Sequence, residues 1–161
     1  MIVADTSALL SLASIDLLDT VLAEFEVHTT ERVVDELEET STYDDRHGAA
    51  AEAVLATLNR IHTHQVKEPF QSSRVDSGEG SCAILTATED AAFLITDDLR
   101  ALPELQTIAD AQVAISPIVL KALVERDVLE RGDALEKLDT LAERRDWLGA
   151  PIYRRAQNLF Q

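Results

Sequence analysis

Residues 2–10, Ile2-Val3-Ala4-Asp5-Thr6-Ser7-Ala8-Leu9-Leu10, run from a short apolar stretch into an acid, then two hydroxyls, then leucines at helical spacing. That order predicts strand, polar turn and helix. A second stretch of the same kind follows much later: Ala92-Phe93-Leu94-Ile95-Thr96 reads as a fully buried strand and stops at Asp97-Asp98. Between and after them, apolar strand-like runs alternate with helical patterns. Phe25 to His28 alternates like a strand, and Thr29 or Thr30 is placed to cap the helix carrying Val33, Val34 and Leu37. A helix is expected over 46–61, a loop over 62–80 with a short strand around Val66, and a helix over 81–89. Leu99 to Ala111 reads as a short helical connection broken near Pro103, and 113–116 as the last strand. Such alternation argues for an α/β fold, a three-layer αβα arrangement around a parallel sheet. Residues 1–116 form this αβ core. Residues 117–161 read as a helical extension packed on it within a single domain, with helices opening at Pro117, near Arg131 and at Pro151.

Composition narrows the class. The chain has 161 residues, 46% hydrophobic, enough for one core without disulfide or metal staples. The lone Cys82 sits in an apolar helical segment and reads as a buried thiol. No apolar run reaches the roughly 20 residues that cross a bilayer, and the acidic start does not resemble a signal peptide, so a cytoplasmic protein is expected. Asp and Glu number 30 against 14 Lys and Arg, a formal charge of −16. High apolar content excludes disorder as the reason. A halophilic host fits, since concentrated salt shortens the Debye length to about 3 Å and keeps an acidic surface hydrated. In such a chain only position can single out a functional carboxylate.

Position does so. Ligands of open parallel sheets sit beyond the carboxyl ends of the strands, where Asp5 and Asp97-Asp98 fall. Either could simply cap the next helix. Glu36, early in the helix after the second strand, and Glu79, at the opening of the helix before the Asp97 strand, belong to the same side of the inferred sheet. The set Val3-Ala4-Asp5-Thr6-Ser7, Val33-Val34-Asp35-Glu36-Leu37, Gly78-Glu79 and Leu94-Ile95-Thr96-Asp97-Asp98, in this order, resembles the PIN-domain nucleases. The C-terminal helices further resemble an archaeal and bacterial subgroup of that family.

The resemblance implies a flavodoxin-like topology and a metal-dependent endoribonuclease, as in the toxins of VapBC-type toxin-antitoxin modules and in RNA-processing enzymes. It implies Asp5, Glu36 and Asp98 as acidic positions, Thr6 or Ser7 orienting the first carboxylate and Thr96 supporting the last. Many members carry an acid where this chain has Ser81, so Glu79 is the substitute ligand, with Asp97 as outer partner or alternative ligand. It also implies RNA as substrate, an antitoxin that inserts an arginine into the acidic pocket, and a homodimer. Carboxylates without Cys or His suit Mg²⁺ or Mn²⁺, one ion or two. Arg46, Arg74 and Arg100 are the substrate-binding candidates, whereas Arg144-Arg145 and Arg154-Arg155 are expected to pair with surface acids. His28, His47, His62 and His64 lack zinc-like spacing, and His62-Thr63-His64 reads as polar loop. Two alternatives remain: a catalytically impaired protein of the same fold that binds partners, and a Mg²⁺-binding receiver-like signalling domain. The second needs a lysine after a late strand, and Lys67, Lys121 and Lys137 do not supply it.

Overall fold

A computed structural model describes residues 1–161. Five parallel strands, β1 (Ile2–Ala4), β2 (Val27–Thr30), β3 (His62–His64), β4 (Phe93–Ile95) and β5 (Gln112–Ala114), form one sheet in the order β3-β2-β1-β4-β5, flanked by helices. The chain builds outward from β1 to β3, then returns to the other side of β1 for β4 and β5. The strand order therefore reverses between β1 and β4, and a crevice opens beyond their carboxyl ends. Register fixes what meets there: Ala4 pairs with Ile95, and the Asp5 N–H donates to the Ile95 carbonyl, so Asp5 and Thr96 leave the sheet side by side.

The helices begin where the sequence supplies caps. Asp5 caps α1 (Thr6–Ser14), Thr30 caps α3 (Glu31–Thr40), and Asp45 caps α4 (Arg46–Leu55). Asp76 and Glu79 form a reciprocal capping box at the start of α5 (Ser77–Thr88), four residues earlier than the apolar pattern suggests. Leucine periodicity continues through Asp16, yet Asp16 adopts a left-handed φ of 53° and the helix breaks into α1 and α2 (Leu18–Glu24). The third strand lies at 62–64 rather than around Val66, and the expected helix over 46–61 ends at Leu55 before a short 3₁₀ turn. Pro103 stands in the first turn of α6 (Leu102–Ile108), where its missing N–H costs nothing.

The C-terminal helices α7 (Pro117–Glu125), α8 (Arg131–Arg144) and α9 (Pro151–Asn158) join the same core, to which Leu138, Leu141, Trp147, Ile152 and Phe160 contribute. Two α8 cations close the break after α1: Lys137 Nζ donates to the Ile15 carbonyl and Arg144 to the Ser14 carbonyl. Those carbonyls lack intrahelical partners, and positive charge suits a helix C-terminus. No single helix is long and apolar enough to cross a membrane.

One glycine fixes how α5 seats. A Cβ on Gly80 would stand 1.6 Å from the Phe70 carbonyl oxygen, a backbone atom that cannot rotate away. Gly80→Ala is therefore expected to destabilise the fold by about 3 kcal/mol through overpacking. Urea unfolding followed by circular dichroism checks this, and an unchanged midpoint would contradict the packing described.

Candidate active site

At the crevice, a cavity of about 200 Å³ is lined by Asp5, Glu36, Asp76, Glu79, Asp98 and Arg145, with Thr6, Ser7 and Leu10 between them. Side chains from five separate segments thus line one cavity.

Each carboxylate is held by its neighbours. Asp5, 2% exposed, accepts from the Ala8 N–H at 3.0 Å and from the Ser7 hydroxyl at 2.8 Å. It is at once helix cap and pocket wall, so the two readings of this position are compatible. Thr6 donates to Glu36 Oε2 at 2.8 Å, tying α3 to the first turn of α1. Gly78 makes room for that carboxylate, since a Cβ there would meet Glu36 Oε1 at 2.0 Å. Glu79, 7% exposed, accepts from the Asp76 N–H with Oε1 and lies against the Asp98 carboxyl. Asp98 Oδ1 accepts from the Arg100 and Ala101 N–H groups, which fixes its approach to the pocket.

Burial governs the titration of these groups. Desolvation raises the Asp5 pKa to about 7, against the opposing hydrogen bonds from Thr96, Ala8 and Ser7. Glu36 is raised by burial, opposed by the Thr6 hydroxyl, and Glu79 is raised to about 9, first by burial and then by its neighbouring carboxyls Asp98 and Asp76. The pocket asks for positive charge.

Part of the predicted set is placed differently. Asp97 does not line the pocket. Its Oδ1 accepts from the Ser116 N–H at 2.6 Å, and its Oδ2 is buried without a partner, so it ties the end of β4 to the loop after β5. The reason is the sharp turn after Thr96. The Asp97 N–H donates to Ser7 Oγ at 2.9 Å and the Asp98 N–H to Thr96 Oγ1 at 3.3 Å, which sends adjacent side chains in different directions. Ser81 does not face the pocket either. Its hydroxyl bonds the Thr30 hydroxyl and the Gly78 carbonyl, and Asp76 and Glu79 are the acids that the start of α5 brings to the pocket.

Arg145 was expected at the surface, paired with acids. Instead it stands at the end of α8 beside Asp97 and Asp5, its Nε buried without a hydrogen-bond partner and its guanidinium in no salt bridge. No sequence signal links it to Asp5, 140 residues away. Arg145 also lines a second cleft of about 510 Å³ that adjoins the pocket through Leu10 and includes Arg46, His47 and Arg144. Arg74 and Arg100 are exposed and line neither cavity. No lysine lines the pocket, so the receiver-like reading finds no support.

The donor set fits a hard divalent cation: oxygen ligands only, among which burial raises the pKa of Asp5, Glu36 and Glu79 in the absence of a neutralising charge. A comparison with curated proteins returns no significant match. A family model described as a PIN domain matches residues 1–161, the whole span that folds into the five-stranded parallel sheet and its flanking helices: the chain belongs to the PIN-domain family.

Proposed function

We propose that the chain is a Mg²⁺- or Mn²⁺-dependent endoribonuclease that hydrolyses RNA phosphodiesters at the crevice between β1 and β4. PIN domains are typically nucleases. The observation that carries the reading for this chain is the meeting of Asp5, Glu36, Glu79 and Asp98 beside a cleft bearing Arg46, Arg144 and Arg145. The four carboxylates would hold the cation, which when bound supplies a water acidified for attack and charge to stabilise the departing oxygen.

The chain's own groups do the positioning. Thr6 and Ser7 hydroxyls orient Glu36 and Asp5. Asp97, through the Ser7 hydroxyl and the Ser116 N–H, keeps the β4 turn in place. Arg145, half-buried and in no salt bridge, offers its guanidinium to a phosphate that bridges pocket and cleft. Arg46 and Arg144 extend that path along the backbone of the strand, which reconciles phosphate binding with a chain of net charge −16.

Protons and metal compete for this site, and the competition sets a pH dependence. The folded-state pKa of Asp5, about 7, lies above its ordinary value of 3.8, so the folded chain holds this proton more tightly than the unfolded one. Stability of the metal-free protein is therefore highest below about pH 4 for this group and falls as pH rises towards 7. Glu36 and Glu79 shift in the same direction. Saturating Mg²⁺ is expected to raise the melting temperature more at about pH 8 than at about pH 5, because ligands must be deprotonated to bind. Scanning calorimetry reads the difference, and equal shifts at both values would count against a carboxylate site. RNA cleavage should cease in EDTA and return with Mg²⁺ or Mn²⁺; cleavage undiminished by chelation removes the proposal.

A further inference from the structure

Three histidines that are distant in sequence meet on β2 and β3, away from the carboxylate pocket. His28 pairs in register with His62, and Thr30 with His64, so all four side chains share one face of the sheet. His62-Thr63-His64 is thus strand rather than polar loop. His28 Nδ1 and His64 Nε2 stand 2.7 Å apart. Their ring centroids are 4.9 Å apart with planes 15° from parallel, so the nitrogen separation is shorter by about two ring radii. The rings therefore face each other edge to edge, nearly coplanar, with one proton between two lone pairs. Glu89, at the end of α5, brings Oε1 to 3.4 Å from the same His64 nitrogen.

The other edge of His28 is independent of this contact. His28 is 5% exposed, and its Nε2 is buried without a hydrogen-bond partner; the nearest carboxylate oxygen is Glu26 Oε1 at 3.6 Å. With Nδ1 as the ligand atom, Nε2 carries the proton and turns it towards Glu26. That is the carboxylate–histidine arrangement that fixes the tautomer of metal-binding imidazoles. His62 stacks on His28 at 4.4 Å and 13°, and its Nε2 lies 3.7 Å from the same Glu26 oxygen, so His62 groups with Glu26 at this edge of His28 and not with His64 and Glu89.

We propose that His28 Nδ1, His64 Nε2 and a Glu89 oxygen form a site for a borderline transition metal of the zinc class, with Glu26 orienting His28 from behind. Two imidazoles and a carboxylate select Zn²⁺, Co²⁺ or Ni²⁺ over Mg²⁺, whereas the Asp5 pocket offers oxygen alone. With Zn–N distances of about 2.0 to 2.1 Å in a tetrahedral site, the two nitrogens must open from 2.7 Å to about 3.3 Å and the rings must tilt so that both lone pairs aim at the ion. His64 lies on the edge strand and is partly exposed, which gives it that freedom. Occupation replaces the shared proton and ties β3, a three-residue edge strand, to β2 and to the end of α5.

The site is tested on chelator-stripped full-length Asp5→Asn protein in excess Mg²⁺, so the outcome does not depend on the nuclease reading. Zn²⁺ is titrated against a chromophoric chelator, and Co²⁺ is followed by its visible absorption. One Zn²⁺ per chain is expected, with the affinity falling at least about tenfold in His64→Ala and in Glu89→Gln and holding in His62→Ala. Both sensitive positions are partly exposed, so their variants keep the fold; circular dichroism verifies it. Zn²⁺ binding that is absent, or unaffected by His64→Ala, overturns the proposal and leaves a hydrogen-bonded histidine pair only.

Discussion

Asp5→Asn is expected to abolish metal-dependent RNA cleavage, by about a hundredfold or more, while making the metal-free protein more stable above neutral pH. Both effects arise from one buried carboxylate. Asparagine caps a helix about as well as aspartate, so the Ala8 N–H keeps an acceptor and α1 keeps its start. The amide carries no charge to desolvate, so the loss of stability between about pH 4 and 7 attributed to Asp5 disappears. It is also a poor ligand for a hard cation. Activity and stability therefore move in opposite directions, a pattern that general misfolding does not produce. Cleavage of a labelled RNA together with calorimetry at two pH values measures the pair of effects.

Arg145 is expected to matter nearly as much, for a reason the sequence hides. Arg145→Met should lower kcat/KM by about ten- to a hundredfold, since a guanidinium aimed at phosphate supplies a charge-assisted contact in a partly desolvated site. It should also destabilise the fold, because Asp97 would lose the neighbouring charge that offsets its burial. The two roles separate in the double variant Arg145→Met with Asp97→Asn. Removing both charges restores stability but not cleavage if the arginine acts on the substrate; recovery of both would reduce it to a structural counter-ion. The salt dependence of RNA binding gives a further readout, shallower in the variant by about one phosphate contact.

The features that were readable in the sequence are those in which local chemistry and tertiary position coincide. Asp5 and the Asp97-Asp98 pair could be placed because a buried parallel strand that ends in an acid leaves that acid at the sheet's carboxyl edge, and the strand order has that edge. Glu79 was visible for a similar reason, as a carboxylate at a helix start. The choice between Asp97 and Asp98 was not local. It depends on a Ser7 hydroxyl that turns the backbone after Thr96, a contact across 90 residues. Nor did the leucine spacing reveal the break at Asp16, which α8 stabilises by placing Lys137 and Arg144 on the exposed carbonyls of α1. Pattern within a segment says nothing of a cap supplied from another.

The same limit explains the misplaced third strand and the missed histidines. A polar His-Thr-His triplet has no apolar alternation, yet it pairs with β2 because an edge strand needs one covered face only. An arginine pair late in an amphipathic helix usually faces water, so the sequence alone points Arg145 to solvent. The end of α8 instead brings it against the crevice, which makes the C-terminal helices part of the site rather than an appendage to it.

The proposed nuclease depends on Asp5, Glu36, Glu79 and Asp98 sharing a bound divalent cation. Anomalous diffraction from crystals soaked in Mn²⁺ tests it directly. A peak is expected within the pocket, in reach of the Asp5 and Asp98 oxygens, and is lost in Asp5→Asn; a pocket without density at saturating Mn²⁺, or a peak untouched by that substitution, would rule the shared cation out.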